Sequence, residues 1–252
     1  MAEIQELHTV PIPTGYRSSE AASFVSQLDD QTRRLMEDTR GLTPDQMSWQ
    51  PAPGMNTIGM LLAHIATVEV WWTSYVLEGV DREKVRFEEI LGITGDDDGM
   101  PLEEGARPPA ILDGRDLPFF DDLLDRARTH LKQVAAQLGD DDLTRTLPRP
   151  TLKGKMRIIE LRWALYHMLE HFAGHYGQIL LLKHAHEAGL HVHENGHSGH
   201  NGARKTVTRS KSKRPKRGHA KVRAAKAKRA PAKKRGRAKP RRVAGGAKRK
   251  KK

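Results

Sequence analysis

Three histidines, His167, His171 and His175, stand four residues apart in the run Tyr166-His-Met-Leu-Glu-His-Phe-Ala-Gly-His-Tyr-Gly-Gln-Ile-Leu-Leu-Leu182. On a helix, positions i and i+4 lie one above the other with a drift of roughly 40° per step, so the three imidazoles share a face. Met168, Phe172, Ile179 and Leu182 fall on the same stripe, which points this face into a core. An unpartnered buried polar group costs roughly 1–3 kcal/mol. A divalent ion satisfies two imidazoles at once, and HxxxH on a helix supplies both ligands. The spacing also fits singly hydrogen-bonded histidines on an amphipathic helix, so a ligand from another element has to decide.

The elements that must position such a site follow from apolar periodicity. Ser18 and Ser19 can cap a first helix to about Arg40, with Ala21, Phe24, Val25, Leu28, Leu35 and Met36 on one side. Thr43-Pro-Asp-Gln46 reads as a cap, a first-turn proline and a capping-box glutamine. Asn56 then caps a helix over 57–77 that is apolar on most sides, the mark of a central bundle helix. His64 sits within it between Leu61 and Val68. Alone, such a histidine is more often a satisfied core residue; beside the HxxxH pair it becomes the candidate third ligand.

Residues 79–117 form a long connection, with a short helix over 82–91 and a flexible Asp-Asp-Asp-Gly segment. A third helix is predicted over 119–138, with His130 off its apolar stripe and read as a surface residue. Residues 144–156, containing Pro148 and Pro150, read as extended or turn-like, and the fourth helix as 157–183. Four amphipathic helices and no convincing strand predict an all-α four-helix bundle whose second and third helices run parallel across the long connection. Bundle cores are where facing helices assemble metal sites.

Charge separates this body from a tail. Of the 44 Lys and Arg, 25 lie in residues 204–252, leaving 19 against 31 acidic residues before them, so the body is near −12 and the tail near +25 within a net +13. The expected organisation is an irregular segment over 1–17, the bundle over 18–190, a His/Gly-rich linker over 191–203 and a disordered basic tail over 204–252. There is no cysteine, hence no disulfide framework, no cysteine-based zinc site and no intrinsic thiol nucleophile. The acidic start lacks a signal-peptide pattern, and no stretch of 18 residues reads as apolar enough to span a membrane, so a cytoplasmic location is expected.

Leu42-Thr-Pro-Asp-Gln-Met-Ser-Trp-Gln-Pro51, Asn56-Thr-Ile-Gly-Met-Leu-Leu-Ala-His64 and His171-Phe-Ala-Gly-His-Tyr-Gly-Gln178, in that order, resemble the DinB/YfiT-like superfamily of metalloenzymes. The resemblance spans residues 18–185. It implies an up-down-down-up bundle, often dimeric, with a divalent metal held by His64, His171 and His175. His167 matches a common family histidine that is not counted as a ligand. Bacillithiol and mycothiol S-transferases and a mycothiol-dependent maleylpyruvate isomerase belong to the superfamily, so a small thiol cosubstrate is implied. The basic tail is an addition that the resemblance does not explain.

Three neutral imidazoles leave a metal net positive with open positions, a catalytic rather than a structural set. Zinc, nickel, iron and manganese all suit it. Such an ion brings a bound water toward a pKa of about 7 or deprotonates a thiol outright. The expected activity is therefore thiol S-transfer or hydrolysis, with the nucleophile brought in. His167 and Gln178 are candidates for a supporting layer, Gln178 either orienting a ligand or bonding to backbone. Glu170 points about 100° from its neighbour His171 and is not cast as a base. Trp49, Trp71, Trp72 and Trp163 read as core or pocket wall. His184, His186, His191, His193, His197 and His200 read as a solvated linker or a loose metal-binding tract.

In the tail, Lys226, Lys228, Arg229, Lys233, Lys234, Arg235, Arg237, Lys239, Arg241 and Arg242 make a Lys/Ala/Pro pattern resembling linker-histone tails. It fits nonspecific DNA or RNA binding through phosphates, without base stacking, since no aromatic residue is interleaved. Ribosomes, anionic membrane or the acidic body itself are other polyanions it fits. Nucleoid association follows if the target is DNA. The alternative from a different class is a non-enzymatic nucleoid-associated protein whose bundle is a structural or metal-sensing module.

Overall fold

The computed structural model describes residues 9–100, 102, 107–150 and 154–190; the linker and tail read from the sequence lie outside the described residues. Four long helices build the core: α1 (Ser19–Thr39), α3 (Ile58–Trp72, continued by a π-helical turn Thr73–Leu77), α5 (Leu117–Ala135) and α7 (Leu161–Glu187). Short helices α2 (Pro44–Ser48), α4 (Phe87–Leu91) and α6 (Asp140–Leu143) lie between them.

Polar contacts fix the helix directions. Arg162 at the start of α7 pairs with Glu20 at the start of α1, and Tyr176 and Lys183 bond to Asp38 at its end, so α1 and α7 run parallel. Trp72 meets Trp163 while His64 meets His171, so α3 runs antiparallel to α7. Glu69 pairs with Arg128 and Ser74 with His130, so α3 and α5 run parallel. Arg17 bonds to Ala136 and Gln137, which sets α5 antiparallel to α1. The result is the expected up-down-down-up bundle, and the long connection is its crossover.

The caps follow local chemistry. Ser18 accepts the Ala21 N–H at 3.2 Å, and the Thr43/Gln46 capping box forms as read. The cap of α3 is Thr57, whose hydroxyl accepts the Met60 N–H at 3.1 Å, and not Asn56, because the first helical residue is Ile58. Leu28, Leu35, Leu61, Leu62, Phe120, Leu131 and Phe172 are fully buried between the helices. Each such side chain contributes roughly 1.5–3 kcal/mol over an exposed one. The residues 58–77, expected not to suit a membrane, do have the length and apolarity to cross one, but 78% of that window is buried inside the bundle. It is the central helix.

Two readings are corrected. Residues 157–160 are not the first turn of the last helix: β1 (Thr146–Pro150) and β2 (Met156–Glu160) form an antiparallel hairpin, and α7 begins at Leu161. Ile158 and Ile159 extend the helical stripe of α7 in sequence but gain a ladder partner from β1 instead. His130 is not a surface residue. Its side chain is 11% exposed and wedged between α5 and the π turn, bonded to Ser74 at 3.0 Å and facing Glu78 at 3.2 Å. Burial pushes its pKa down, helped by Arg86 and opposed by Glu78.

Candidate metal centre

His64 projects from α3, and His171 and His175 from successive turns of α7. Their ring nitrogens converge: His64 Nε2 lies 3.2 Å from His171 Nε2, which lies 3.0 Å from His175 Nε2. All three ligand atoms lie within 4.8 Å of one another. A tetrahedral ion with nitrogens at about 2.05 Å would hold them about 3.3 Å apart. Burial and the neighbouring charges of His175, His64 and His167 push the His171 pKa down to about 3. Burial also lowers His175, against its bond to Gln178. His171 and His175 thus resist protonation, and the three rings present a donor set that suits a divalent cation.

Two outer groups set the tautomers that make this possible. His64 Nδ1–H donates to Asp98 Oδ2 at 2.8 Å, and His175 Nδ1–H donates to Gln178 Oε1 at 2.8 Å. With Nδ1 protonated, each neutral ring offers its Nε2 lone pair inward, and an anionic partner makes His64 a stronger donor. Asp98 is buried, which alone would raise its pKa, but hydrogen bonds from His64, Thr67 and the Met100 N–H outweigh burial and hold it below its ordinary value. It arrives from the crossover between α4 and α5, in the segment read from sequence as flexible. The turn holding it needs Gly99: its φ is +69°, and a Cβ there would meet Pro109 at 2.6 Å.

Sequence reasoning missed Asp98. Three consecutive aspartates, Asp96 to Asp98, carry no signal as to which is buried. Gln178 was singled out, and the structure gives it the ring of His175 to orient. His167 lies apart from the cluster, stacked on Trp163 with ring centroids 4.8 Å apart and 6.1 Å from His171. Glu170, as expected, faces away from the cluster and bonds to His167 at 3.4 Å. Trp49 packs edge-on against His186, which with His184 lies in the last turn of α7; the remaining linker histidines and the ten tail cations lie outside the described residues.

A cavity of about 1140 Å³ reaches the cluster through His64, Thr67 and Asp98. One wall is aromatic: Trp71, Trp72 and Tyr75 from the end of α3 and its π turn, with Phe87 from α4. The hairpin also lines it, contributing Arg149, Arg157 and Ile159. The volume far exceeds what one ion requires and matches or surpasses the usual size of small-molecule sites, roughly 300–1,000 Å³.

The fold and cluster define a helical-bundle protein with three convergent imidazoles beside a small-molecule cavity. The chain belongs to the mycothiol S-transferase family, a DinB-like family whose model matches residues 23–188. No curated protein matches the chain. Among solved structures, a conserved protein of Enterococcus faecalis aligns at 16% identity with a TM-score of 0.46, covering 64% of this chain and 92% of that one.

Proposed function

We propose that this protein is a divalent-metal-dependent S-transferase that joins a low-molecular-weight thiol to an electrophilic acceptor, with His64, His171 and His175 as the metal ligands. The observation that carries this is the convergence of the three Nε2 atoms, with Asp98 and Gln178 holding the outer ring nitrogens protonated. A divalent ion there supplies the positive charge that lowers the pKa of a thiol joining it. The chain brings no sulfur nucleophile, since it has no cysteine. Family membership points to mycothiol as the thiol. In the transfer the sulfur forms its bond to the acceptor carbon, the leaving group departs with its electron pair, and the thiol proton passes to solvent. The aromatic wall holds the acceptor and excludes water from the reacting carbon. Asp98 keeps the His64 ring aimed, with Nε2 turned inward.

Metal content of the full-length protein, purified without an affinity tag of histidines, tests this together with thiol consumption in the presence of an electrophile. The expected result is about one divalent ion per chain at the three-imidazole site, lost along with thiol consumption in His64→Ala and in His171→Ala. Full turnover in metal-free protein would sink the reading. The tail, from its sequence, we assign to nonspecific nucleic-acid association, which localises the enzyme without entering its chemistry.

A further inference from the structure

Arg149 and Arg157 are paired residues, directly opposite across β1 and β2. Both line the cavity. Directly opposed side chains of an antiparallel pair share a face with Cβ atoms about 4.5–5.5 Å apart, and like charges in that position are destabilising. A carboxylate set between them would normally relieve the repulsion. None does so: neither arginine has an ion-pair partner within 4.0 Å among the described residues. Arg149 Nε is buried without a hydrogen-bond partner, and its guanidinium carbon lies 4.6 Å from the centre of the Tyr75 ring. Two more cations, Arg82 and Lys155, line the same cavity, Arg82 lying over Trp71 at 5.5 Å. Of the three lining carboxylates, Asp98 is committed to His64, Thr67 and the Met100 N–H, which leaves Glu83 and Asp96 beside Arg82, Arg149 and Arg157. Trp71 and Phe87 give the cavity a flat apolar surface, their rings within 4° of parallel and their centres 6.5 Å apart.

We propose that this cavity takes an aromatic carboxylate, its carboxylate clamped between Arg149 and Arg157 and its ring on Trp71, Tyr75 and Phe87. Planar guanidinium forks match a carboxylate two bonds at a time, and an anion between the opposed arginines removes their repulsion. The ligand's role as the acceptor in S-transfer rests on the reading under "Proposed function". Its binding to the hairpin does not.

The test is calorimetric titration of the full-length protein with 2-naphthoate and with its neutral isostere 2-naphthamide. Wild type is expected to bind the acid at least about tenfold more tightly than the amide, the size of effect that a charge-assisted hydrogen bond supports. Arg149→Gln with Arg157→Gln together remove that preference and leave the amide unchanged. The basic tail is present in every sample, so the difference between variants reads the clamp alone. If the double variant fails to fold, Arg157→Gln by itself, which alters an exposed side chain, reads the same comparison. Equal binding of acid and amide, or undiminished acid binding in the arginine variants, overturns the clamp. So does acid binding that survives the arginine substitutions and vanishes on chelation, because the carboxylate then sits at the histidine cluster. Metal content of the same samples separates the two readings: His64→Ala that loses metal but still binds 2-naphthoate keeps the clamp, while metal-free wild type removes only the S-transferase reading.

Discussion

Asp98 is the residue on which the cluster's chemistry turns, because its carboxylate decides which nitrogen of His64 carries the proton. Outer partners of ligating histidines are commonly worth ten- to a hundredfold in metal affinity. Asp98→Asn is therefore expected to weaken divalent-metal binding by about that factor in a competition with a coloured chelator, with the fold intact. Unchanged affinity would remove Asp98 from the site. His130 gives a separate prediction. Its pKa is held below the ordinary value, first by burial, so the unfolded chain binds the proton more readily than the folded one. Above about pH 6.5 the ring is neutral in both states and contributes no pH dependence. As pH falls below that, stability drops, and the drop stops growing once the folded ring protonates. Urea midpoints of wild type and His130→Asn should thus converge, or cross, between pH 8 and pH 5.5; a constant difference would contradict the shift.

At the scale of elements, one buried side chain ties three helices. Arg128 from α5 pairs with Glu69 of α3 at 2.7 Å and with Asp29 of α1 at 2.9 Å. Burial lowers its pKa and the two carboxylates more than restore it, so it stays charged. Removing one member of a buried pair leaves the other charge uncompensated, at a cost of about 3–5 kcal/mol. Arg128→Ala is expected to lose that much in urea unfolding, and a loss below about 1 kcal/mol, the range of exposed pairs, would show the contact to be dispensable. The π turn at Thr73–Leu77 acts on the same helix. π-helical turns within α-helices are frequent at functional sites. This one carries Tyr75 into the cavity wall and Ser74 onto His130.

For the whole molecule, α3 and α7 bring His64 and His171 together from 107 residues apart in sequence, so the three-imidazole cluster exists only in the folded chain. Any ligand that binds the folded state alone stabilises it by mass action, about 2.7 kcal/mol at a free concentration one hundred times its dissociation constant. Saturating zinc or nickel is expected to raise the melting temperature of the full chain, and the rise should disappear in His171→Ala. An equal rise in that variant would place the ion elsewhere, the linker histidines being the first place to look.

The sequence by itself determined the bundle, the Thr43/Gln46 capping box and the two histidines of α7, because helical periodicity, cap chemistry and the i, i+4 spacing are local properties of the chain. It also marked His64 as the third partner, though only through the company of the other two. Tertiary structure alone decided the rest. Asp98 could be told from Asp96 and Asp97 only once the crossover laid it on Thr67 and His64. Ile158 and Ile159 read as helix until residues 146–150 came alongside and offered a ladder. His130 looked exposed until the π turn closed over it. In each case the deciding partner lies beyond the i, i+4 reach of a helix, and a side chain's protonation, pairing or exposure is set by what faces it in space, which helical periodicity does not encode.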